Sequence, residues 1–513
     1  METVSLLIIC LILLIKKNTS ISSYNYSGYK AISTNTNLFE QNLISTTSDQ
    51  SVVYITSSGI KIENSTILKS SGDSSNIENS KLYGVNAAVL VQGGEVSITE
   101  GEIETAAKGA NAICSTNNGK VTISNTYIKS TGDNSARCLL STYGGSIIAT
   151  GVSILSNGES SGSLATDKGE GIIICTGCYL WTEGGGSPLI YSTGNITVND
   201  CFGTADMSQI IVIEGESTVI VEESYFDCGY SNNTNVYGIF LYNSMTRNTN
   251  KGISIFTCKD SFLGIYYDIY SSSPMFFVTN IDAVINLESC DFSYDSEIFL
   301  NVSATSEWGT PGFNGGNVTL NLINQDIEGD IIVDISSSLT INMINSRIKG
   351  KINTNKISST IDINLDSNSI IILTGDSYIS SLKNEDSTGS NINKRNFTFT
   401  DYNDNPYNAT LTNMFDIFDL VGIESDVLST EPMLEEETTH PFIVPTHIPN
   451  YSTSETTILF DDPQYNITPP THNTSFEPNT DLSEPIYGNN QINLDKNYFS
   501  ISNNFEVRIK NYK

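Results

Sequence analysis

Apolar residues recur in this chain as a spaced triplet, in which two lie two positions apart and a third follows five positions later. Ten complete copies occur, beginning at Ile60, Val96, Val121, Ile147, Ile173, Val219, Ile285, Leu320, Ile341 and Ile363. Weaker copies begin at Ile196 and Ile253, where Gly203 and Asp260 replace the third apolar residue. Successive copies from Val96 lie 25, 26, 26, 23 and 23 residues apart, and the last three lie 21 and 22 apart. A period in this range is typical of a solenoid.

The repeat predicts strands rather than helices. Apolar and polar residues alternate within it, as in Val121-Thr122-Ile123, which is the pattern of a strand with one buried face. A coil of such strands buries its apolar face only by stacking on neighbouring coils. We therefore predict an all-β parallel β-helix over residues 23–400, including an N-terminal cap, with a C-terminal cap at residues 401–423.

The two ends of the chain differ from the repeat region. An apolar run of about a dozen residues, 4–15, is the length of a signal-peptide core and too short to span a bilayer. We predict a cleaved signal peptide at residues 1–22 and hence a secreted protein; Lys16 and Lys17 follow the run, so the alternative is an uncleaved N-terminal anchor. Nine of the 13 prolines lie between Pro432 and Pro485, which predicts an acidic, Pro/Thr-rich disordered tail over residues 424–513.

The net charge of −32 restricts the partners of this chain. Nucleic acid and anionic membrane are excluded, because both would be repelled by so acidic a surface. Extracellular glycans, surface proteins and cations remain compatible with this charge. No motif predicts a cofactor. One group of acidic residues suggests a weak calcium site, and a solvated charged surface is the alternative interpretation. The group consists of Glu214, Glu216, Glu222, Glu223 and Asp227.

Cysteine placement follows the repeat. Cys178 and Cys201 each lie three residues after the second apolar residue of their copy, which places them on adjacent coils. Adjacent strands lie about 4.8 Å apart, within the Cα separation that a disulfide tolerates. The sequence leaves two interpretations open, a disulfide between this pair and a stack of reduced, buried thiols.

An aromatic column lies one residue beyond the cysteine column. Tyr179, Phe202 and Tyr225 occupy it on three successive copies, and Trp181 follows on the first of them. Stacked rings stabilise a solenoid as a ladder, and exposed rings bind sugars as a platform, so both interpretations apply to these four residues. The sequons at Asn64, Asn195, Asn317 and Asn473 are candidate glycosylation sites.

The coil motifs at residues 316–322, 338–343 and 373–379 resemble those of the right-handed parallel β-helix proteins of the pectin-lyase-like superfamily. The resemblance covers about residues 50–390 and is closest to the secreted, adhesin-like branch. The polygalacturonase-like enzymes of that superfamily carry Asn-x-Asp, Asp-Asp, Gly-His-Gly and Arg-Ile-Lys motifs. Here Arg347-Ile348-Lys349 matches the last motif, but Gly-His-Gly is absent and the one Asp-Asp pair lies in the predicted tail.

These observations favour a non-catalytic function over an enzymatic one. We predict a secreted, adhesin-like β-helix protein that binds glycans or partner proteins along its coils. A polysaccharide lyase or glycoside hydrolase of the same superfamily is the first alternative, and a structural spacer is the second. No residue is predicted to be catalytic.

Overall fold

A computed structural model describes residues 24–167, 171–229, 237–244, 252–266, 272–357 and 359–410. In these residues the chain forms a parallel β-solenoid, which confirms the predicted fold class. Each regular coil passes through sheet A, then sheet B, then sheet C, and every strand pairs in parallel with its equivalents on neighbouring coils. The predicted signal peptide, most of the predicted C-terminal cap and the predicted tail lie outside the described residues.

Three long sheets form the sides of the solenoid. Sheet A contains Gly28–Ile32, Ser51–Ile55, Val89–Gln92, Ile113–Thr116, Leu139–Thr142, Leu164–Asp167, Ile190–Ser192, Ile211–Glu214, Ile239–Tyr242, Phe276–Thr279, Ile298–Val302 and Asp330–Val333. Sheet B contains Leu38–Phe39, Ile60–Glu63, Glu95–Thr99, Lys120–Ser124, Ser146–Thr150, Ile172–Thr176, Asn195–Asn199, Thr218–Glu222, Ile253–Lys259, Asp282–Glu288, Asn317–Ile323, Ser338–Ile344, Thr360–Leu365 and Ser381–Asn384. Sheet C contains Asn42–Ser45, Thr66–Lys69, Glu102–Thr105, Tyr127–Ser130, Ser153–Ser156, Tyr179–Thr182, Phe202–Ala205, Tyr225–Cys228, Phe262–Ile265 and Asp291–Ser293.

Shorter elements complete the described fold. Sheet D contains Asp326–Glu328, Arg347–Gly350, Ile370–Leu373 and Ile392–Asn393, and sheet E contains Ser377–Tyr378 and Phe399–Thr400. One helix, Ile77–Tyr83, is inserted between sheets C and A, and Asn76 and Gly84 cap its ends. No helix among the described residues is long and apolar enough to cross a bilayer.

The core is a column of stacked aliphatic side chains inside the solenoid. The register of sheet B pairs Val96 with Val121 and Val121 with Ile147, as the repeat predicts. Ile123 and Ile154, from sheets B and C of successive coils, are 1% and 3% exposed. The first two residues of each regular triplet therefore point inward from sheet B, and the third points inward from sheet C or, in the last three copies, from sheet D.

The sequence pattern predicts the wrong inward residues in two copies of the triplet. Ile253 and Ile255 are not the inward pair of their coil, because Val219 pairs with Phe256 and Val221 with Cys258. The inward residues are Phe256 and Cys258, followed by Leu263, and they fit the triplet spacing without exception. In the copy that begins at Ile363, the inward third residue is Ile371 rather than Ile370, since Ile371 pairs with Ile348.

The corner between sheets B and C carries a buried column of hydrogen bonds. In each bond a backbone N–H of one coil donates to the side chain at the same corner position on the next coil. Cys201 N donates to Ser224 Oγ at 3.0 Å, and Ser224 N donates to Ser261 Oγ at 3.0 Å. Cys290 N donates to the side-chain oxygen of Gln325 at 2.9 Å. This column satisfies buried backbone donors that the turn leaves out of the sheets.

Candidate functional site

The outer surface of sheet C is the candidate site. Side chains alternate along a strand, so each sheet C strand points its first and third residues outward and its second and fourth inward. We define the sheet C face as these outward residues, together with the residue that follows each strand, from the strand Glu102–Thr105 to the strand Phe262–Ile265. The parallel register stacks equivalent residues into columns that run from coil to coil.

Four aromatic residues follow one another in the first column. The structure places Tyr179, Phe202 and Tyr225 on consecutive coils, and Phe262 extends the column to a fourth. The rings of Phe202 and Tyr225 are stacked with centroids 5.0 Å apart, and those of Tyr225 and Phe262 with centroids 4.5 Å apart. Stacked rings cover one another's faces, so these three residues form the ladder that one of the two sequence interpretations predicted.

Tyr179 and Trp181 lie exposed beside the ladder, in which Phe202 is 46% exposed as well. Tyr179 is tilted by 50° from Phe202 and is 52% exposed, and Trp181 is 45% exposed. Both lie on the strand Tyr179–Thr182 and point to the same side. Trp181 Nε1 donates a hydrogen bond of 3.4 Å to Asp206, which orients the indole ring. These two side chains therefore offer ring surface to a ligand, as the platform interpretation requires.

A slot one coil wide lies beside Tyr179. The register places Ser153 between Tyr127 on one side and Tyr179 on the other. Two strand spacings separate the tyrosine backbones, roughly 9.6 Å at about 4.8 Å per strand. Because serine is small, the side of Tyr179 that faces Ser153 is not covered by a neighbouring ring.

Acidic side chains occupy the columns next to the aromatic residues. Asp227 is buried, and its Oδ1 atom has no hydrogen-bond partner. Burial raises the pKa of the Asp227 carboxyl to about 6, and the nearby Asp206 charge adds to this increase, while a hydrogen bond from Thr204 opposes it. Burial also raises the pKa of Asp206, with a smaller contribution from the charge of Glu183. The sheet C face thus holds carboxylates that resist ionisation.

Asp227→Asn should make the protein more stable at neutral pH. The pKa of Asp227 is higher in the folded protein than its ordinary 3.8, so its contribution to stability is fully present below about pH 4 and is lost as the pH rises through about 6. We expect the variant to exceed the wild type by on the order of 2 kcal/mol at pH 7 and to differ little at pH 4. Urea unfolding at both pH values, with the exposed Asp295→Asn as control, measures this difference. Identical pH profiles for the wild type and Asp227→Asn would contradict the burial of this carboxyl.

The five residues of the suggested calcium group do not converge. Glu214 ends a sheet A strand, Glu222 ends a sheet B strand, and Asp227 lies on sheet C. Glu223 is at the corner between sheets B and C, and Glu216 follows the sheet A strand. Among the described residues, no group of three His, Cys, Asp or Glu side chains is arranged to hold a metal ion.

The described cysteines are buried and have free thiols. Cys178 and Cys201 are corner neighbours on adjacent coils, where Cys178 N contacts Cys201 Sγ at 3.5 Å. The structure thus places Cys178 and Cys201 side by side, as both sequence interpretations require. Cys258 does not belong to that corner column, because it points into the core, where its Sγ lies 2.6 Å from Cys290 Sγ. Burial raises the pKa of Cys114 and Cys228, which keeps these thiols protonated.

Three of the four candidate glycosylation sites lie on the described surface. Asn64 is exposed at a corner with φ of 49°, and Asn195 and Asn317 are exposed at the starts of sheet B strands. The Asn317 side chain donates a hydrogen bond of 2.8 Å to Asp282 and accepts one of 2.7 Å from Ser338. Asn473 lies outside the described residues.

The Arg-Ile-Lys motif has structural partners. Arg347 Nε donates to Asp326 Oδ1 at 2.8 Å, and Lys349 Nζ lies 3.1 Å from Glu328 Oε1. Both acidic residues come from the preceding coil of sheet D. The outward residues of this motif thus form ion pairs between coils.

Sequence reasoning missed a buried charged cluster on the outer side of sheet A. Arg137 showed no partner in the sequence, yet its Nη1 lies 3.0 Å from Asp167 Oδ2, and its guanidinium lies 5.3 Å from the centroid of the Tyr191 ring. Glu214 accepts hydrogen bonds from Tyr191 and, at 3.1 Å, from Tyr242. The hydrogen-bonded pairs lie 23 to 30 positions apart in the chain, about one coil, so only the coil alignment could have identified them.

The chain matches no protein-family model, no curated protein and no solved structure. The resemblance to the pectin-lyase-like superfamily therefore rests on the coil motifs and on the parallel β-solenoid fold.

Proposed function

We propose that this protein is a non-catalytic, adhesin-like β-helix protein of the pectin-lyase-like type, which is secreted and binds extracellular glycans on its sheet C face. The observation that carries the proposal is the pair of open aromatic rings, Tyr179 and Trp181, next to the slot at Ser153. Neighbouring exposed aromatic rings form an apolar patch, and contiguous patches of this kind mark interaction sites.

The rigidity of the solenoid supports this function. Trp181 and Tyr179 lie on a paired strand and not on a loop, so their positions are fixed by sheet C on both sides. Preformed sites of this kind lose little conformational freedom when a ligand binds. The ladder of Phe202, Tyr225 and Phe262 holds the next coils in register behind them.

Replacing the two open rings should reduce glycan binding without unfolding the protein. Each ring contact contributes roughly 0.5–1.5 kcal/mol, so Tyr179→Ala/Trp181→Ala should weaken binding about tenfold or more. A glycan array identifies ligands of the wild type, and calorimetric titration measures the change in Kd. Unchanged affinity of the double variant for every bound glycan would reject the site, and so would the absence of any glycan ligand for the wild type.

Two matched variants separate binding from stability. Tyr29 is an exposed tyrosine on sheet A, away from the site, so Tyr29→Ala should leave both affinity and melting temperature unchanged. Tyr225 is in the ladder between Phe202 and Phe262, so Tyr225→Ala should lower the melting temperature and change affinity by less than the double variant.

A further inference from the structure

The sheet C face is strongly acidic around the open aromatic rings. Among its described outward residues, five are carboxylates and one is a lysine: Glu102, Glu104, Glu183, Asp206, Asp227 and Lys129. The strands from Ser153–Ser156 to Phe262–Ile265 contain no lysine or arginine. A ligand on Tyr179 and Trp181 therefore meets the carboxylates of Glu183 and Asp206 at the end of their strand and of the next strand.

A second acidic column borders the aromatic ladder at the corner between sheets B and C. Asp200, Glu223 and Asp260 are exposed there, each two residues before an aromatic residue of the ladder. Their backbones are stacked, because Asp200 N donates to the carbonyl of Glu222 and Glu223 N to that of Lys259. Lys259 lies beside this column, but Glu288 pairs with it at 3.1 Å. Stacked like charges are unfavourable unless a cation lies near them.

Asp227 is a second observation, independent of the acidic columns, that favours a ligand on this face. It is 5% exposed, and its Oδ1 atom has no hydrogen-bond partner. A buried carboxylate oxygen that is left unpaired is costly. The side chain belongs to the column of Trp181 and Thr204 and lies two coils from Trp181. A hydrogen-bond donor placed there, such as an ammonium group, would satisfy the oxygen that the protein leaves without a partner.

Open aromatic rings beside carboxylates favour cations for a second reason. The faces of tryptophan and tyrosine attract ammonium groups through the quadrupole of the ring, and tryptophan does so most strongly. Trp181 combines an exposed ring with a hydrogen bond to Asp206. One cationic group can thus contact the ring and the carboxylate together.

We propose that the sheet C face recognises glycans that carry protonated amines, that is, polymers of 2-amino-2-deoxy sugars, in preference to neutral or acidic polysaccharides. This inference rests on the proposed glycan-binding function and names its ligand class. Sugar rings stack on Tyr179 and Trp181, while their ammonium groups lie against Glu183 and Asp206. Uronic acid polymers are repelled by the same carboxylates.

Two oligosaccharides of equal length test the charge preference directly. β-1,4-linked glucosamine hexamer carries free amines, and its fully N-acetylated counterpart has the same backbone without the charge. At low salt, and at a pH at which the amines are protonated, we expect the wild type to bind the glucosamine hexamer at least tenfold more tightly. Added salt should reduce that advantage, because exposed charge pairs are screened. A galacturonic acid hexamer should bind least.

Removal of the carboxylates should reduce the preference more than the binding itself. The double variant Glu183→Gln/Asp206→Asn keeps the shape of both side chains and removes their two charges. Its affinity for the glucosamine hexamer should therefore fall at least fivefold more than its affinity for the acetylated hexamer. Glu95→Gln/Glu297→Gln removes two exposed charges elsewhere and should preserve the ratio of the two affinities. Equal loss of preference in both double variants would overturn the assignment to the sheet C face.

The outcomes separate this inference from the function on which it rests. If the acetylated hexamer or the galacturonic acid hexamer binds as tightly as the glucosamine hexamer, the charge preference is wrong and glycan binding stands. If no glycan binds, both fail. If hexalysine binds as tightly as the glucosamine hexamer, and Tyr179→Ala/Trp181→Ala does not weaken it, the face recognises basic peptides and the amino-sugar assignment is overturned.

Discussion

Ile123→Asp is expected to yield no folded protein. Ile123 is 1% exposed in the middle of sheet B, between Ile98 and Ala149 of the adjacent coils. An aspartate there would bury a carboxylate without a partner, at a cost of several kcal/mol. That cost approaches the whole stability of a typical domain, about 5–15 kcal/mol. Soluble yield, far-UV circular dichroism and thermal melting measure the effect.

The neighbouring residue provides the control for this variant. Thr122 points outward and is exposed, so Thr122→Asp places the same charge one residue away, in water. We expect its melting temperature to stay close to that of the wild type. A soluble Ile123→Asp protein that melts like Thr122→Asp would refute the register of sheet B and, with it, the assignment of inward and outward residues on every regular coil.

Gly184→Ala is expected to have the second largest effect, through backbone contact. A Cβ atom on Gly184 would lie 1.9 Å from the carbonyl oxygen of Gly158 on the preceding coil. The same relation holds one coil earlier, where a Cβ on Gly158 would lie 1.9 Å from the carbonyl oxygen of Gly132. Neither backbone can move away without breaking the stacking of coils. We expect a loss of about 3 kcal/mol or more, at the upper end of overpacking effects.

The adjacent glycine gives a matched comparison. A Cβ on Gly185 would approach the nearest atoms, in the Glu159 side chain, no closer than 3.9 Å, which is ordinary contact. Gly185→Ala should therefore leave the urea midpoint unchanged within error, whereas Gly184→Ala should lower it clearly. Equal midpoints for the two variants would mean that the coils are not in the close contact described.

The sequence alone determined the fold and most of the core. Stacked coils require an apolar residue at the same position in every turn, so the period and spacing of the triplet identify both the solenoid and its inward residues, such as Val121 and Ile123. The same alignment placed Tyr179, Phe202 and Tyr225 in one column, since equivalent positions on neighbouring coils must be adjacent.

Only the tertiary structure decided the features that depend on distances between coils. The sequence could not distinguish a ladder from a platform, because ring orientation follows from the neighbouring column residue: Phe202 and Tyr225 cover each other's rings, whereas Ser153 leaves Tyr179 open. A long segment precedes Ile253, so the spacing in the sequence did not identify Phe256 as the residue that pairs with Val219. The burial of Asp227 also depends on packing. A repeat specifies which residues are stacked, but the rotamers, contacts and solvent exposure of those residues are set by the packed coils around them.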